Sequence, residues 1–360
     1  MATNPKVKSA DREAINRMAQ SMSDAVTGEV RYDIVGRRQH RGSINLLIDL
    51  SDANGRQELF VKRLRTHAVA RFQQAREGFD RPRIKSIPDP ATRLHDEGVA
   101  LQAIQRMVES ADRDDWFAVR VVLVSDCPDV LVLERVDAPT LSQQIADTGS
   151  AAAVEQAVRS LGEWLYTLHR RLPPVSHARP HLTGSAALVR IVSEMIDHIG
   201  DRRLTRRRQE IIESMSRLPE ILDVVPSHGD LAPQNVFLTD AGSIAVFDTS
   251  IELMMPMHFD LAYFAVMLEF AGYKKPLSRT QRRSEHLAEQ LRIGYGSAAP
   301  PRSEMLAFEL ALLLDRWCSL AERSGSSGPI PVLARWGRRQ LLAARLHGGI
   351  ARRLEQLRTV

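Results

Sequence analysis

A short β-hairpin pattern inside otherwise helical sequence is the feature that most limits how this chain can fold. The apolar runs "NVFL" and "SIAVFD" are joined by the turn "TDAG", and the tight stretch "HGDLAPQN" (228–235) leads into them. Because the two ends of a hairpin lie next to each other, Asn235 at its entry and Asp248 at its exit are predicted to face one cavity. Asp230, five residues before Asn235, is predicted to lie beside them.

The sequence before residue 138 is rich in strand patterns. Five β-like runs are present, at 29–35, 43–50, 57–64, 116–124 and 129–136. The first three predict an antiparallel meander, in which Asn54 and Gly55 form a strong hairpin signal because both residues tolerate positive φ. One helix is predicted between the third and fourth runs, where "TRLHDEGVALQAIQRMV" (92–108) shows near-helical apolar spacing.

Helical patterns dominate from Pro139 onward. The stretch "AVEQAVRSLGEWLYTLHRRL" (153–172) places its apolar residues along one face, which is typical of a buried helix. Further helices are predicted at 185–217, 258–271, 279–294, 303–323 and 331–357. We therefore predict an α+β protein with a polar N-terminal segment (1–28), a β-rich lobe with one main helix (29–137) and a mostly helical lobe (138–360).

Composition excludes several classes of protein. The chain has 360 residues, and its only cysteines, Cys127 and Cys318, are far apart without metal-ligand spacing, which argues against a disulfide framework or a zinc site. The N-terminal region has no apolar core of a secretory signal, and no apolar run approaches the roughly 20 residues that cross a bilayer. The sequence predicts a cytoplasmic protein.

Arginine is concentrated at 201–210 ("DRRLTRRRQE") and toward the C-terminus, whereas the net charge is only +5. Such clusters attract anions, although a solvated helix face is the simpler interpretation of each cluster. Aromatic residues make up only 5% of the chain and do not alternate with these arginines, so nucleic-acid binding is not expected. Contact between the basic C-terminal helix and a membrane surface stays open.

The residues around the hairpin suit phosphoryl transfer. This reaction needs hard oxygen ligands for Mg²⁺ and a carboxylate that accepts the proton of the attacking hydroxyl. A carboxamide and a carboxylate, as at Asn235 and Asp248, suit the metal. A further carboxylate nearby, as at Asp230, suits the base.

The segment "HGDLAPQNVFLTDAGSIAVFD" resembles the catalytic segment of the aminoglycoside phosphotransferase and choline kinase group, which has a protein-kinase-like bilobal fold. The resemblance implies that Asp230 is the catalytic base, that His228 braces the loop, and that Asn235 and Asp248 bind the metal. It also implies ATP and Mg²⁺ as cofactors. "HFDLA" (258–262) is similar to the family element whose aspartate hydrogen-bonds the catalytic loop, although Asp260 also suits a helix N-cap.

The resemblance extends to the β-rich lobe. Lys62 lies in the third β-run, where this fold keeps a lysine for the nucleotide phosphates, and a buried lysine needs a partner. Glu97 resembles that partner; Asp96 points about 100° away on a helix, so at most one of the two can face Lys62. "LVLERVDAPTL" (131–141) is similar to the family hinge, which places an adenine contact near Glu134 to Val136.

Three positions depart from the family pattern. The loop "GRRQHRGS" (36–43) is not a typical glycine-rich phosphate loop, so a solvated hairpin turn is as good an interpretation as a phosphate contact. Thr249 follows Asp248 where a large apolar residue is frequent. Pro256 stands where an acidic residue is common.

A small-molecule kinase is the function that the sequence favours. A protein kinase is disfavoured because only 12 residues separate Asp248 from Asp260, too few for an activation segment. A catalytically inactive nucleotide-binding regulator is disfavoured because the residues that the chemistry needs are present. A metal-dependent hydrolase lacks the histidine motifs that would complete its site.

The acceptor class follows less directly from the sequence. A pocket for a polycation would be rich in acidic residues, whereas this chain is rich in arginine. We therefore expect a small-molecule or glycan-type hydroxyl acceptor that is neutral or anionic.

Overall fold

A computed structural model of the protein forms two compact units. The first comprises residues 1–79, 87–140 and 235–252, and the second comprises 80–86, 141–234 and 253–360. The structure describes residues 15–16, 31–39, 43–52, 55–65, 82–84, 89, 92–124, 130–146, 151–173, 182–249, 254–271, 277–322 and 332–360.

The first unit is built on a five-stranded antiparallel sheet with the order β1-β2-β3-β5-β4. Its strands are β1 (Arg31–Gln39), β2 (Ser43–Asp52), β3 (Gly55–Leu64), β4 (Val121–Val124) and β5 (Val130–Glu134). β2 and β3 pair down to Asp52 and Gly55, as a tight hairpin requires. The antiparallel meander predicted from the sequence is confirmed.

Alternation along the strands gives this sheet a buried face. Ile44, Leu46, Ile48 and Leu50 alternate with less buried residues along β2 and form a cluster with residues of β3 and β5. Because successive side chains in a strand point to opposite faces, Lys62 lies on the face opposite Val61. The same alternation that builds the core thus directs a lysine to the other side of the sheet.

The helix α1 (Arg93–Ala111) of the first unit packs against that other face. Gly98 permits the close approach, because a Cβ atom at this position would lie 2.9 Å from Val124 and 3.0 Å from Leu131. α1 carries Glu97 next to this glycine. The helix therefore holds Glu97 close to the strand that carries Lys62.

The hairpin predicted at 235–248 is present and belongs to the first unit. Its strands are β7 (Val236–Leu238) and β8 (Ile244–Val246), which pair antiparallel. The amide of Phe117 donates to the carbonyl of Ile244 (2.9 Å), and the amide of Leu238 donates to that of Pro139 (3.0 Å). Both strands of the hairpin are thus tied to other parts of the first unit.

The second unit is mostly helical, as predicted. Its longer helices are α3 (Ala151–Arg171), α4 (Ser185–Ile199), α7 (His258–Ala271), α8 (Leu277–Tyr295), α9 (Arg302–Glu322) and α10 (Val332–Thr359). The shorter helices among the described residues are α2 (Leu141–Ala146), α5 (Arg202–Arg206) and α6 (Arg208–Met215). Glycines let α3 and α8 cross closely, since a Cβ atom at Gly294 would lie 1.9 Å from the carbonyl oxygen of Arg159.

The structure differs from the sequence predictions at five places. Residues 36–39, predicted as part of the loop 36–43, form the end of β1 and pair with β2. The short helix α2 (Leu141–Ala146) was not predicted. The helical region predicted at 185–217 is divided, because Gly200 adopts a left-handed φ of 64° and the Asp201 side chain caps the next helix. The strand predicted at 116–124 begins only at Val121, because Trp116 forms a bridge to Ile244 instead. A two-stranded pair was missed, in which β6 (Val224–Pro226) joins β9 (Met254–Pro256).

Several sequence predictions lie wholly or partly outside the described residues. These include the polar N-terminal segment, residues 29–30 and 129 of two predicted strands, residues 40–42 of the loop 36–43, Asn54 of the hairpin turn, and Cys127. None of the described helices is both long and apolar enough to cross a bilayer. The lobe boundary predicted at residue 138 stays a prediction.

Candidate active site

The carboxylates of Glu97 and Asp248, from distant parts of the first unit, both bond the ammonium group of Lys62. Its Nζ donates to Oε1 of Glu97 at 2.9 Å, to Oε2 of Glu97 at 2.8 Å and to Oδ1 of Asp248 at 2.5 Å. The side chains of Lys62 and Glu97 are 9% and 3% exposed, whereas that of Asp248 is 31% exposed. The group, here called the lysine triad, is therefore closed at the glutamate and accessible at the aspartate.

The three residues of the lysine triad come from three different elements of the first unit. Lys62 pairs with Leu131 across β3 and β5, so its height in the sheet is set by the strand register. Glu97 reaches it from α1, and Asp248 from the end of β8. Asp96, one residue before Glu97, is less buried and is not part of the triad.

Electrostatics keep Lys62 charged. Burial on its own would lower the pKa of Lys62, but the negative charges of Asp248 and Glu97 outweigh it and raise the pKa above its ordinary value. A charged ammonium group beside a partly exposed carboxylate can attract an anionic ligand such as a phosphate.

Asn235 and Asp248 lie at the open end of the hairpin, as predicted. The amide of Phe247 donates to the carbonyl of Asn235 at 3.0 Å, so the residue before Asp248 is fixed against Asn235. Asp248 has a left-handed φ of 59°, a conformation in which non-glycine residues are uncommon outside turns and functional sites. The carboxamide and carboxylate oxygens at these positions fit the preference of Mg²⁺ for oxygen ligands.

The predicted hinge residues lie where β5 ends. The amide of Glu134 donates to the carbonyl of Arg120 at 2.9 Å, and the amide of Arg135 donates to that of Glu58 at 3.0 Å. The Glu134 side chain is half exposed and lies 3.4 Å from Arg120. The amides of Glu134 and Arg135 are therefore used by hydrogen bonds within the first unit. Val136 is the first residue of the predicted hinge whose amide does not take part in these two bonds.

His228 and Asp230 belong to the second unit, in a loop held by Asp260. Oδ2 of Asp260 accepts from the amide of His228 at 2.7 Å, and Oδ1 accepts from the amide of Gly229 at 2.9 Å. The hydroxyl of Ser227 donates to the same carboxylate at 2.8 Å. The prediction that Asp260 hydrogen-bonds this loop is confirmed, and the N-cap interpretation is wrong because the residue lies inside α7 and binds the loop instead.

The carboxylate of Asp260 is fully buried and is held ionised by its surroundings. His169 Nε2 lies 3.3 Å from Oδ2 of Asp260, and the other ring nitrogen of His169 bonds the hydroxyl of Tyr295 at 2.8 Å. Burial would raise the pKa of Asp260, but the hydrogen bond and charge of His169, together with His228 and Ser227, lower it below its ordinary value. A charged, multiply bonded carboxylate fixes the backbone of the loop.

His228 is fully buried and takes part in fixing the loop. The amide of Asp230 donates to Nδ1 of His228 at 3.3 Å, and the imidazole packs edge-on against Trp164 with ring centroids 6.2 Å apart. The predicted bracing role is consistent with these contacts and stays a prediction for catalysis.

Sequence reasoning missed the partner of Asp230. The hydroxyl of Tyr263 donates to Oδ1 of Asp230 at 2.6 Å, and Nη2 of Arg316 donates to the same hydroxyl at 3.1 Å. Tyr263 follows Asp260 by three residues, so both lie on one face of α7. Because Asp260 was predicted to bond the loop that carries Asp230, this spacing could have indicated that Tyr263 also reaches that loop. No local signal marks Arg316, which comes from α9.

Comparison with known proteins identifies the family. The sequence model of the phosphotransferase enzyme family matches residues 42–308. No curated protein sequence matches the chain significantly.

Solved structures with the same fold include several kinases. A choline kinase from Streptococcus pneumoniae is 14% identical with a TM-score of 0.50, over 94% of this chain and 99% of the other. A macrolide 2′-phosphotransferase from Brachybacterium faecium is 14% identical with a TM-score of 0.50, over 92% and 98%. An amicoumacin kinase in complex with AMP-PNP and Ca²⁺ is 11% identical with a TM-score of 0.50, over 97% and 96%.

These matches confirm the resemblance and the α+β protein-kinase-like fold that were predicted from the sequence. The family match at 42–308 spans β2 to β9, which include the hairpin, and α1 to α8. The chain belongs to the phosphotransferase enzyme family.

Proposed function

We propose that the protein is a small-molecule kinase that transfers the γ-phosphoryl group of ATP to a hydroxyl of a small or glycan-type acceptor, in a Mg²⁺-dependent reaction. The lysine triad is the observation that carries the proposal. Lys62 is separated from Glu97 by 35 residues and from Asp248 by 186, yet its ammonium group bonds both carboxylates. A buried ammonium group shared by a closed and an accessible carboxylate suits nucleotide phosphates better than a purely structural role.

In this proposal each residue of the first unit has a separate task. Lys62, oriented by Glu97, binds phosphate oxygens of the nucleotide. Asn235 and Asp248 would hold Mg²⁺, which when bound would neutralise charge that develops on the phosphates. The adenine contact is assigned to the hinge, with Glu134 through its carbonyl group and Val136 through its backbone. The bound AMP-PNP and Ca²⁺ of the amicoumacin kinase are in keeping with these tasks.

Asp230 is the proposed catalytic base. The acceptor oxygen forms a bond to the γ-phosphorus, the bond to the oxygen bridging the β- and γ-phosphates breaks, and ADP leaves. The proton of the acceptor hydroxyl passes to the Asp230 carboxylate. His228 and Asp260 hold the loop so that this carboxylate keeps its position.

The acceptor is proposed to be a neutral or anionic hydroxyl compound, on the argument that the chain is rich in arginine. Internal ion pairs reduce the weight of that argument. Arg208 is paired with Asp197, Arg358 with Glu210, and the buried Arg353 with two glutamates. A screen of acceptors is therefore the deciding measurement.

The proposed experiment is an ADP-release screen over sugars, amino alcohols, aminoglycosides and lipid-linked glycans, with Asp230→Asn as the blank. Loss of a general base typically lowers turnover by about 10²–10⁴-fold, whereas Mg·ATP binding should stay within about twofold of wild type. Turnover by Asp230→Asn at the wild-type rate would refute the assignment of the base.

The same screen, extended with protein substrates and a measurement of ATP binding, separates the remaining alternatives. ATP binding without ADP release for any compound would favour an inactive nucleotide-binding regulator, and phosphate transfer to a protein substrate would favour a protein kinase. Membrane contact by α10 is tested separately by sedimentation with anionic liposomes at low salt, and absence of binding would exclude it.

A further inference from the structure

Tyr263 and Arg316 lie next to the proposed base without belonging to the triad or the loop-bracing group. Both are in the second unit with Asp230, on α7 and α9 respectively. The hydrogen bonds run in one direction, from the guanidinium of Arg316 to the hydroxyl of Tyr263 and from that hydroxyl to the carboxylate of Asp230. The three groups thus form a chain that ends on one oxygen of the carboxylate to which the mechanism assigns a proton.

The direction of this chain is fixed by the chemistry of its members. A guanidinium group can only donate, so the Tyr263 oxygen accepts from Arg316 and its proton is directed to Asp230. Burial, followed by the charge of Asp230, raises the pKa of Tyr263 well above its ordinary value, which keeps the hydroxyl protonated. The carboxylate therefore receives a hydrogen bond from a permanent donor.

Packing holds the tyrosine and the arginine in place. The ring of Tyr263 stacks on Phe259 with centroids 5.6 Å apart. The guanidinium carbon of Arg316 lies 5.6 Å from the centre of the Tyr263 ring and 5.7 Å from that of Phe270. Because both side chains are confined by aromatic contacts, the hydroxyl is held in one place and little entropy is lost when it bonds the carboxylate.

α7 therefore controls the catalytic loop in two ways. Asp260 binds the backbone amides of His228 and Gly229, which fixes where the loop lies. Tyr263, one helical turn later, binds the side chain of Asp230, which fixes how its carboxylate is turned. Position and orientation are thus set by different residues of the same helix.

We propose that Tyr263, held by Arg316, is a positioning residue that orients the carboxylate of Asp230 for proton transfer from the acceptor hydroxyl. The inference rests on the proposed function, because it takes Asp230 as the base. Tyr263 acts through Asp230 and is not assigned a contact with the acceptor or the nucleotide.

The test compares Tyr263→Phe, Asp230→Asn and the double variant, with ADP release from Mg·ATP as the readout. The probe acceptor is the compound of the screen that releases ADP fastest, or water if none exceeds the rate of ATP hydrolysis. Tyr263→Phe should lower kcat about tenfold or more while KM for ATP changes by less than about twofold, since a hydrogen bond to a charged group is lost. In the Asp230→Asn background the same substitution should have no further effect on the residual rate.

A purely structural role gives a different pattern. An equal loss of rate from Tyr263→Phe with and without the Asp230 carboxylate, or an unchanged kcat in the single variant, would overturn the inference. Full turnover by Asp230→Asn would instead overturn the proposed function, so the two failures are distinguishable. Tyr166→Phe is the matched control, since it removes a tyrosine hydroxyl from α3 of the same unit, and it should keep wild-type turnover.

The role of Arg316 has its own test. Arg316→Met should lower kcat less than Tyr263→Phe does, Arg316→Lys should recover part of the loss, and Arg316→Met should add nothing in the Tyr263→Phe background. Additive losses would show that Arg316 acts separately. A crystal structure of Tyr263→Phe gives a readout independent of turnover: the Asp230 carboxylate should leave its wild-type rotamer, and an unchanged rotamer would contradict the proposal.

Discussion

Two ion clusters in this protein each place a buried cation between two carboxylates. They differ in how exposed those carboxylates are. In the lysine triad of the first unit, Asp248 is 31% exposed and stands at a left-handed φ. In the second unit, Arg353 is buried between Glu309 and Glu269, whose side chains are 2% and 10% exposed. The first cluster has one accessible carboxylate, whereas both carboxylates of the second are largely buried and each has a further partner, Arg302 or Arg352.

This difference separates a site that serves a ligand from one that serves the fold. A closed cluster gives its charges partners inside the protein and fastens α10 to α7 and α9. An accessible carboxylate bonded to a buried ammonium group can exchange partners when phosphate and metal arrive. Function is therefore expected to depend on the lysine triad, and stability on the arginine cluster.

The largest expected effect separates activity from stability at the lysine triad. Replacing both buried members, in Lys62→Met/Glu97→Leu, should lower kcat/KM for ATP by about 10³-fold, because a phosphate-binding charge is lost. The free energy of unfolding should stay the same or rise, since apolar residues often replace a buried ion pair without loss. Urea unfolding and steady-state kinetics measure the two effects, and a strong loss of stability with normal turnover would reverse the comparison.

The arginine cluster should respond in the opposite way. Arg353→Met leaves Glu309 and Glu269 with only the partly exposed Arg302 and Arg352 as partners, and should destabilise the protein by about 2 kcal/mol, as judged by urea unfolding. Turnover per folded molecule should be unchanged. Arg190→Ala is the matched control, because Arg190 forms an exposed ion pair with Glu194 and its loss should cost less than about 1 kcal/mol.

A smaller effect concerns pH and the loop held by Asp260. Because the folded state lowers the pKa of Asp260, this group stabilises the protein above its unfolded pKa of about 3.9, and the contribution is lost as the pH falls through the folded value. Unfolding free energy measured from pH 6 downward should therefore decrease below about pH 4. Asp260→Asn should be less stable at pH 6 and should show a flatter decrease; an equally steep decrease would assign the acid sensitivity to other carboxyl groups.

Local patterns predicted the architecture well where they were strong. The alternation in β2 and β3, the hairpin at 235–248 and the helical spacing of 153–172 all correspond to observed elements. The helical region is divided near Gly200 by a helix cap, and apolar periodicity alone does not indicate where a helix is capped. Pairing of β6 with β9 joins residues about 30 apart in sequence, and such short strands carry little pattern of their own.

The candidate site was predictable to the extent that its residues lie in one motif or in regular elements. Lys62 and Glu97 meet because strand and helix periodicity directs each to the space between sheet and α1. Tyr263 was within reach of the same reasoning through its spacing from Asp260. Arg316 was not, because its approach to Tyr263 depends on how α9 packs against α7.

Calorimetric titration of ATP, with and without Mg²⁺, into wild-type protein and Asp248→Ala tests the central claim most directly. The wild-type protein should bind ATP more tightly when Mg²⁺ is present, and Asp248→Ala should lose most of that difference because a carboxylate ligand of the metal is removed. Asp49→Ala, which removes an acidic side chain of β2 paired with Arg56, should keep the difference. An equal dependence on Mg²⁺ in wild type and Asp248→Ala would contradict the account.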